Sequence, residues 1–218
     1  LRNSSAASDV YKRQTLNLSG EKKVDVWAAR ISYVGESGWE IYFNNDKDDG
    51  LALYDSLLEV GVIPVGIETY ANSRRLEKCF RLQGADLETE YNAIEAAIQR
   101  PLVKEADFHG KFAHLAHRKE DPCAILCTMT LDDLNVSGKT RYPVGISPII
   151  DPATGEVPID SKGRRSYTTG MSYCPSIKKF VVMGYLPKQI AFKGKSLLIE
   201  YFNEDGDGLY PMTVQIVG

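Results

Sequence analysis

The sequence predicts an α+β domain that is followed by a small C-terminal antiparallel β-barrel. Two observations support this fold class. The first half of the chain mixes alternating apolar and polar runs with runs at helical spacing, which is typical of helices packed on an antiparallel sheet. The second half contains short strand-like runs separated by Gly, Pro and Asp turns, which is typical of a barrel. The pattern changes near residues 108–120, so we place the domain boundary between domains 15–118 and 119–218.

The first domain begins with an alternating run at residues 24–33, which is rich in β-branched and aromatic side chains and predicts a strand. A Gly-Glu-Ser-Gly turn signal follows at 35–38, and the run 39–43 predicts the second strand of a hairpin. Gly61 stands where a helix would end. Helical spacing predicts three helices, at residues 51–60, 68–81 and 93–98.

The second domain is predicted to consist of short strands. Its six strand-like runs lie at residues 124–131, 142–149, 167–171, 179–185, 196–202 and 210–217. Six such strands are enough for a small barrel. The acidic stretch 203–208 between the last two runs lacks the later bidentate glutamate of an EF-hand calcium loop, so we interpret it as a hairpin turn.

Residues 1–14 differ from the rest of the chain because they are polar, rich in Ser and Ala, and without periodicity. Their sequence, LRNSSAASDVYKRQ, also resembles a translated sequencing linker. We therefore predict a non-native tail that takes no part in the fold. The natural chain is expected to begin upstream.

The composition is that of a soluble globular protein. Hydrophobic residues make up 43% of the chain and charged residues 25%, which excludes a disordered or fibrous chain. The formal net charge is −3, so we expect no nucleic-acid partner. No apolar run reaches the roughly 18 residues that cross a bilayer, and no signal peptide is recognisable. We therefore expect no membrane partner and a cytoplasmic location.

The candidate metal ligands are four cysteines and three histidines. Cys123 and Cys127 are close in sequence, and thiolate pairs suit zinc. However, the apolar residues between them predict a buried strand, and no second pair follows at zinc-finger spacing. His114 and His117 lie in a basic connection without a suitably spaced carboxylate. The sequence therefore predicts reduced structural thiols and no metal site.

Several short motifs occur in order along the chain. They are SYVGESGWEI at 32–41, RLE at 75–77, QGADL at 83–87, and CPSIKK at 174–179. Together they resemble the glycine-cleavage T-protein (aminomethyltransferase) family, whose relatives include the folate domains of dimethylglycine and sarcosine dehydrogenases. Lys78 and Arg81, which follow RLE, resemble the dehydrogenase branch in particular.

The resemblance covers about residues 24–218 and implies a folate-binding α+β domain followed by the barrel. It implies an enzyme that transfers a one-carbon unit to tetrahydrofolate, in glycine cleavage or in a dimethylglycine or sarcosine type of reaction. The family's catalytic aspartate belongs to an N-x-x-G-x-x-D-D-like loop, which does not occur in this sequence. We therefore expect a fragment that carries no catalytic residue and is inactive alone. The implied partners are a small one-carbon donor or a lipoyl carrier protein, and a fused or associated FAD dehydrogenase domain.

Two cofactor-binding residues follow from the chemistry of tetrahydrofolate. A reduced pterin presents two hydrogen-bond donors side by side, and a carboxylate accepts both. The resemblance assigns this contact to Glu36 in the glycine-flanked turn. A guanidinium clamps a carboxylate with two parallel hydrogen bonds. The resemblance assigns the glutamyl tail of the cofactor to Arg75.

Three aromatic residues complete the predicted cofactor-binding set. Tyr33 and Trp39 are expected to pack along the rings of the cofactor, although aromatic residues at alternating strand positions more often belong to the core. Tyr173 is expected to approach the cofactor from the C-terminal domain, as are the neighbouring Lys178 and Lys179. A lysine in a turn is more often simply solvated.

Two further functions stay open at the level of sequence. One is a tetrahydrofolate-dependent demethylase on the same fold, which the upstream sequence would distinguish. The other is a non-catalytic folate-binding module. The iron–sulfur maintenance branch of the superfamily carries a K-G-C-Y-x-G-Q-E motif around a reactive cysteine, and residues 33–36 here have no such neighbour.

Overall fold

The computed structural model describes residues 11–19, 22–44, 48–99, 102–131, 135–136, 139–140, 145–202 and 209–216, without the side chains of 135–140 and 201–216. The chain forms two compact units, Leu1–Ala71 and Asn72–Gly218. We call them the first and the second unit.

The first unit contains a three-stranded antiparallel sheet. Its strands are β1 (Tyr11–Asn17), β2 (Lys23–Ala29) and β3 (Glu40–Phe43), in the order β1-β2-β3. Alternate residues of β2 are buried, namely Val24, Val26 and Ala28, so one face of the sheet carries the core. The predicted hairpin is confirmed, because β2 and β3 pair with Ala28 opposite Ile41.

Strand β1 corrects the sequence prediction at the start of the chain. Residues 11–14, which we excluded from the fold, pair with β2 in a register that sets Tyr11 opposite Ala29. The Tyr11 ring also stacks on Trp27 with a centroid distance of 5.2 Å. The side chains of β1 are almost all exposed, so the strand has no apolar alternation to reveal it. It is held mainly by backbone hydrogen bonds.

Helix α1 (Asp49–Glu59) follows the sheet and confirms the first predicted helix. Gly61 has a φ of 88°, a left-handed conformation that glycine adopts without strain. The amide of Val62 donates to the Leu57 carbonyl at 3.0 Å, and that of Gly61 donates to Leu58 at 2.9 Å. These two hydrogen bonds form a Schellman-type end.

The second predicted helix is shorter than its spacing suggested. A π-helical segment, Glu68–Arg74, continues into the single turn α2 (Arg75–Glu77). The helix stops there because Cys79 takes a φ of 54° and the Phe80 amide donates to the Arg75 carbonyl at 3.0 Å. The helix therefore ends at Glu77, four residues before its predicted end at residue 81.

The third predicted helix, 93–98, is wrong as a regular helix. The Asn92 side-chain oxygen accepts hydrogen bonds from the amides of Ile94 and Glu95, which opens one turn. Ala97 then takes a φ of 53° and closes it. Conversely, α3 (Lys111–His117) forms where we predicted an irregular basic connection. Phe112, Leu115 and Ala116 stand at helical spacing in it, although the helix contains no buried residue. The sequence analysis missed this short pattern.

The second unit is built on a six-stranded antiparallel sheet in the order β7-β10-β11-β4-β9-β8. The strands of this sheet are β4 (Ala124–Leu131), β7 (Ile149–Ile150), β8 (Thr168–Cys174), β9 (Lys179–Pro187), β10 (Ser196–Phe202) and β11 (Leu209–Ile216). A separate two-stranded ribbon pairs β5 (Asn135–Val136) with β6 (Lys139–Thr140). Five of the six predicted runs therefore match strands within a few residues. The sixth predicted run, 142–149, overlaps β7 at its last residue only, and its first residues, 142–144, lie outside the described part of the chain. The predicted hairpin turn at 203–208 also lies outside the described part.

The two outer strands of this sheet come close to each other. Pro148 and Tyr167 form an antiparallel bridge, and the Ile146 amide donates to the Thr168 carbonyl at 3.0 Å. The chain is thus a mixed helix and sheet protein, as predicted. The closed barrel stays a prediction.

Strand β9 is buried on both faces. Val182 and Leu186 pack into an apolar cluster with Met129, Ile149 and Leu197. On the opposite face, Val181, Met183 and Tyr185 pack against Leu76, Tyr91 and Ala96. Residues that we had placed in the first domain therefore cover the sheet of the second unit. The compact units divide between residues 71 and 72, and the domain boundary between residues 118 and 119 stays a prediction.

Gly184 in β9 provides a test of this packing. A Cβ added there would lie 2.7 Å from the Tyr167 carbonyl oxygen and 2.9 Å from Ile149 Cδ1. Gly184→Ala is therefore expected to lower the free energy of unfolding by about 1–3 kcal/mol, as over-packing does. Chemical denaturation measures this change. Gly145→Ala is the control, because nothing lies within 4 Å of its Cβ position, and an equal loss there would contradict the packing argument.

No helix in the described ranges combines the length and the hydropathy that crossing a bilayer requires.

Candidate functional site

The loop between β2 and β3 carries the first group of predicted site residues. Gly35 has a φ of 72°, and the hydroxyl oxygen of Ser32 accepts hydrogen bonds from the amides of Val34 at 3.3 Å and Glu36 at 3.2 Å. These bonds fix the backbone of the turn. The Glu36 side chain lies on the exposed surface of this loop. The sequence thus folds locally into a defined turn that presents a carboxylate to solvent.

The two aromatic residues of the same loop differ in burial. Tyr33 is half-buried, and its ring lies 5.8 Å from that of Tyr70 at a tilted angle. Trp39 is 48% exposed, and the Lys12 Nζ lies 5.9 Å from its ring centroid. Trp39 and Ile41 line a cavity of about 280 Å³ on the core face of the sheet. An aromatic surface is therefore accessible within three residues of the Glu36 carboxylate.

The opposite face of the sheet carries an aromatic row that the sequence analysis missed. The Trp27 ring lies between Tyr11, at 5.2 Å, and Tyr42, at 4.9 Å. A cavity of about 670 Å³ on this face is lined by residues that include Arg13 and Asp25. The row was missed because residues 11–14 were excluded from the fold, which removed its outer member.

Arg75 of the RLE motif lies in the interior of the second unit. Its side chain is 1% exposed, and its Nη1 forms an ion pair with Asp86 of the QGADL motif. Nη1 also donates to the Phe80 carbonyl at 3.0 Å, while Asp86 accepts from the Leu82 amide at 2.8 Å and from the Thr169 hydroxyl. In this arrangement the guanidinium connects the RLE motif to the QGADL motif inside the second unit. The predicted contact of Arg75 with the glutamyl tail stays a prediction, and the burial of its side chain leaves it no exposed surface for that contact.

Glu77, the last residue of RLE, holds the CPSIKK turn. Its two carboxylate oxygens accept hydrogen bonds from the amide and the hydroxyl of Ser176, both at 2.9 Å. Arg74 donates to Glu77 at 3.1 Å and to Ser176 at 3.0 Å. Leu76 between them is fully buried. Three motifs that the sequence resemblance assigned to the family are thus bonded to one another.

Tyr173 lies at the exposed start of the same turn. Its side chain is 43% exposed, and its ring meets Phe180 edge-on at a centroid distance of 5.4 Å. Its carbonyl accepts a hydrogen bond from the Ser73 hydroxyl at 2.7 Å. The ring is therefore available at the surface, while the backbone is fixed to the segment that precedes Arg75.

A second buried ion-pair network was not predicted from the sequence. Arg164 donates to Glu95 at 2.5 Å and to Asp160 at 2.7 Å, and its guanidinium lies 4.3 Å from the ring centroid of Tyr91. Tyr91 in turn stacks on Tyr185 at 3.5 Å. Burial would raise the pKa of Glu95, but hydrogen bonds from Arg164 and from the Asn92 amide outweigh it and lower the pKa.

Two of the four thiols lie in the interior of the fold. All four cysteines are free, and Cys127 and Cys174 are buried. Burial raises the pKa of Cys127 to about 11 and that of Cys174 to about 12, so neither is a ready nucleophile or metal ligand. Within the ranges that the structure describes, no group of three or more His, Cys, Asp or Glu side chains is placed to hold a metal ion.

Known proteins match the chain over most of its length. The family model described as the GCVT N-terminal domain matches residues 4–105. This range includes part of the segment that we predicted to be a tail. Mitochondrial dimethylglycine dehydrogenase of Homo sapiens is 31% identical over 95% of this chain and 22% of its own length. The aminomethyltransferase of Thermosynechococcus vestitus is 27% identical over 87% of this chain and 46% of its own length.

A solved structure shares the fold. The glycine cleavage system aminomethyltransferase T from Bartonella henselae matches with a TM-score of 0.63 and 22% identity, covering 88% of this chain and 48% of that one. This chain thus spans less than half the length of each of these three proteins. The family model, the curated relatives and the fold agree with the motif order, and they confirm the predicted resemblance to the glycine-cleavage T-protein (aminomethyltransferase) family.

Proposed function

We propose that the chain is the folate-binding part of an enzyme that transfers a one-carbon unit to tetrahydrofolate. The resemblance to the aminomethyltransferase family supports a folate-dependent one-carbon transferase. The observation that carries the proposal at the level of residues is the fixed turn that presents Glu36. Fold similarity without such a group would support no particular chemistry.

The turn around Glu36 fits the pterin end of tetrahydrofolate. The pterin edge carries two adjacent donors, and an exposed carboxylate accepts both in parallel. The backbone of the turn is already fixed by the Ser32 hydroxyl, so little further ordering is required on binding. In the proposal, Glu36 orients the pterin and Trp39 offers its exposed ring for stacking.

The roles of the other predicted residues follow from their burial. Tyr33 is half-buried against Tyr70 and supports the loop more than it contacts a ligand. Tyr173 is exposed and remains a proposed contact for the cofactor. When bound, tetrahydrofolate would supply the amine that accepts the one-carbon unit; the residues of this chain bind and orient it.

The type of reaction is also part of the proposal. The match to dimethylglycine dehydrogenase supports the dimethylglycine or sarcosine type over glycine cleavage. We propose a small one-carbon donor or a lipoyl carrier protein as the partner of the chain. We also propose that an FAD dehydrogenase domain is fused to it or associated with it, and that the protein is located in the cytoplasm. Because no residue of this sequence matches the family's catalytic aspartate motif, we further propose that the chain alone binds folate weakly and does not turn over.

Calorimetric titration of tetrahydrofolate tests the assignment of Glu36. Glu36→Ala removes both acceptors and is expected to cost about 1.5–3 kcal/mol of binding free energy, which is roughly tenfold to hundredfold in Kd. The control is Asp55→Asn, which removes an exposed carboxylate of α1 in the same unit and is expected to leave the Kd unchanged. Micromolar affinity that persists in Glu36→Ala would overturn the assignment.

A further inference from the structure

A cavity of about 360 Å³ lies beside α3 in the second unit, and we call it the α3 cavity. The residues that line it belong to the segment 93–108 and to α3, whereas the loop that carries Glu36 belongs to the first unit. Small-molecule sites usually have volumes of roughly 300–1,000 Å³, so this cavity is at the lower end of that range. It has room for a ligand with a single ring and a short arm.

Most of the wall of the α3 cavity is apolar. The larger apolar side chains that line it are Ile98, Leu102, Val103 and Phe108. Ile98 is 45% exposed and Leu102 is 86% exposed, so the described part of the chain leaves apolar surface uncovered at the cavity. Covering such surface with the apolar part of a ligand removes it from water, which is favourable. The wall therefore favours a ligand with an apolar body.

The polar side chains of the α3 cavity favour an anion. Lys104 lines it with its Nζ 4.9 Å from the ring centroid of Phe108, and in the part of the chain that the structure describes this ammonium pairs with no carboxylate. Glu105 and Asp107 are close to Lys104 in sequence, but neither is among the described residues that line the cavity. His114 also lines it, and an imidazole ring carries an N–H that can donate a hydrogen bond. A carboxylate accepts hydrogen bonds from both kinds of donor.

Lys111 connects the two sides of the α3 cavity. Its Nζ donates to the Glu105 carbonyl at 2.5 Å, and its amide donates to the Phe108 carbonyl at 3.1 Å. The segment that carries Lys104 and Phe108 is thus bonded to the helix that carries His114. Because this backbone is already fixed, a ligand needs to order only the side chains that it contacts.

We propose that the α3 cavity binds a small aryl carboxylate, which is one aromatic ring with a carboxylate on a short chain. The aromatic ring packs against Leu102 and the ring of Phe108, since aromatic rings favour offset or edge-to-face contacts. The carboxylate accepts hydrogen bonds from the Lys104 ammonium and from the His114 ring N–H. This binding site goes beyond the proposed function and does not depend on it.

Nuclear magnetic resonance titration of the isotope-labelled full chain with phenylacetate tests the proposal. The amide signals of residues 98–99, 102–108 and 114 are expected to shift and to saturate with a Kd below about 1 mM. Phenylacetamide, which lacks the charge, and acetate, which lacks the ring, are each expected to bind at least about threefold more weakly. If phenylacetate shifts none of these signals, or if either control ligand binds as tightly, the proposal is wrong.

Two variants with matched controls locate the contacts. Lys104→Met is expected to raise the Kd of phenylacetate at least about threefold, because it removes the ammonium. Lys193→Met removes an exposed lysine elsewhere in the second unit and is expected to change the Kd less than about twofold.

The second pair of variants tests the apolar wall. Leu102→Ala is expected to raise the Kd at least about threefold, because apolar contact with the ligand is lost. Phe112→Ala removes a side chain of α3 that is 89% exposed and is not among the described residues that line the cavity, and it is expected to change the Kd less than about twofold. All four substituted side chains are exposed, so the fold is expected to be retained. Equal losses within either pair would overturn the proposal.

Competition with tetrahydrofolate separates this site from the proposed cofactor site. Saturating tetrahydrofolate and Glu36→Ala are both expected to leave the Kd of phenylacetate unchanged. If tetrahydrofolate displaces phenylacetate, the α3 cavity belongs to the cofactor site, and the proposal of a separate site fails while the proposed function stands. If tetrahydrofolate does not bind but phenylacetate binding still requires Lys104, the proposed function fails and the aryl carboxylate site stands.

Discussion

Replacing Arg75 with methionine is expected to lower the free energy of unfolding by about 3–5 kcal/mol, which is the usual effect of removing one partner of a buried ion pair. The guanidinium is 1% exposed, and its Asp86 partner is fully buried. Methionine of similar length fills much of the space but leaves the Asp86 carboxylate without its cation. Thr169 and the Leu82 amide still donate to Asp86, but they cannot neutralise it.

Two companion variants make this prediction specific. Arg74→Met removes a neighbouring arginine whose ion pair with Glu77 is partly exposed, and it is expected to cost no more than about 1 kcal/mol. Arg75→Met/Asp86→Leu removes both charges and is expected to be more stable than Arg75→Met alone. Urea denaturation of the four proteins measures these differences. If Arg75→Met were as stable as Arg74→Met, the structural role assigned to Arg75 would be wrong.

Arg164→Met is expected to destabilise the chain by about 3–5 kcal/mol at pH 7, because Glu95 and Asp160 would both lose their shared cation. The loss also depends on pH. In the folded wild type, burial would raise the pKa of Asp160, but hydrogen bonds from Arg164 outweigh it and lower the pKa below its ordinary value of 3.8. The pKa of Glu95 is likewise below its ordinary 4.5.

A lowered carboxylate pKa stabilises the folded state above the pKa of the unfolded state. As the pH falls below about 4.5, the unfolded chain takes up protons before the folded chain does. This stabilisation is therefore lost gradually as the pH falls through the lowered pKa values of Glu95 and Asp160 in the folded chain. The difference in stability between wild type and Arg164→Met is therefore expected to be largest near neutral pH and to shrink below pH 4.5. Thermal unfolding from pH 7 to pH 3 measures it. A difference that does not change with pH would contradict the ion-pair account.

The strands of the second unit could be predicted because their patterns are local. Runs such as 124–131 and 196–202 combine β-branched or apolar residues with flanking turns, and they match β4 and β10 residue for residue. Strand β1 could not be predicted in this way, because its polar and exposed side chains carry no alternation. Its identity depends on its pairing with β2, which is a tertiary property.

The local conformation around a candidate site residue could be predicted where it depends on one loop, and not where it depends on partners that are distant in sequence. The turn that presents Glu36 follows from Ser32, Gly35 and Gly38, which span seven residues. The environment of Arg75 depends on Asp86 and Thr169, which are 11 and 94 residues away in sequence, so no local pattern reveals its burial. The same holds for Glu77, whose partner Ser176 lies 99 residues along the chain.

The central claim is that tetrahydrofolate binds at the loop between β2 and β3, and amide hydrogen exchange locates binding most directly. The exchange of residues 31–43, followed by mass spectrometry, is compared with and without saturating tetrahydrofolate. The proposal predicts slower exchange in this segment, with the amides around Glu36 most affected, and no change in α1. Saturation of the chain by tetrahydrofolate without any change in residues 31–43 would contradict the proposed site.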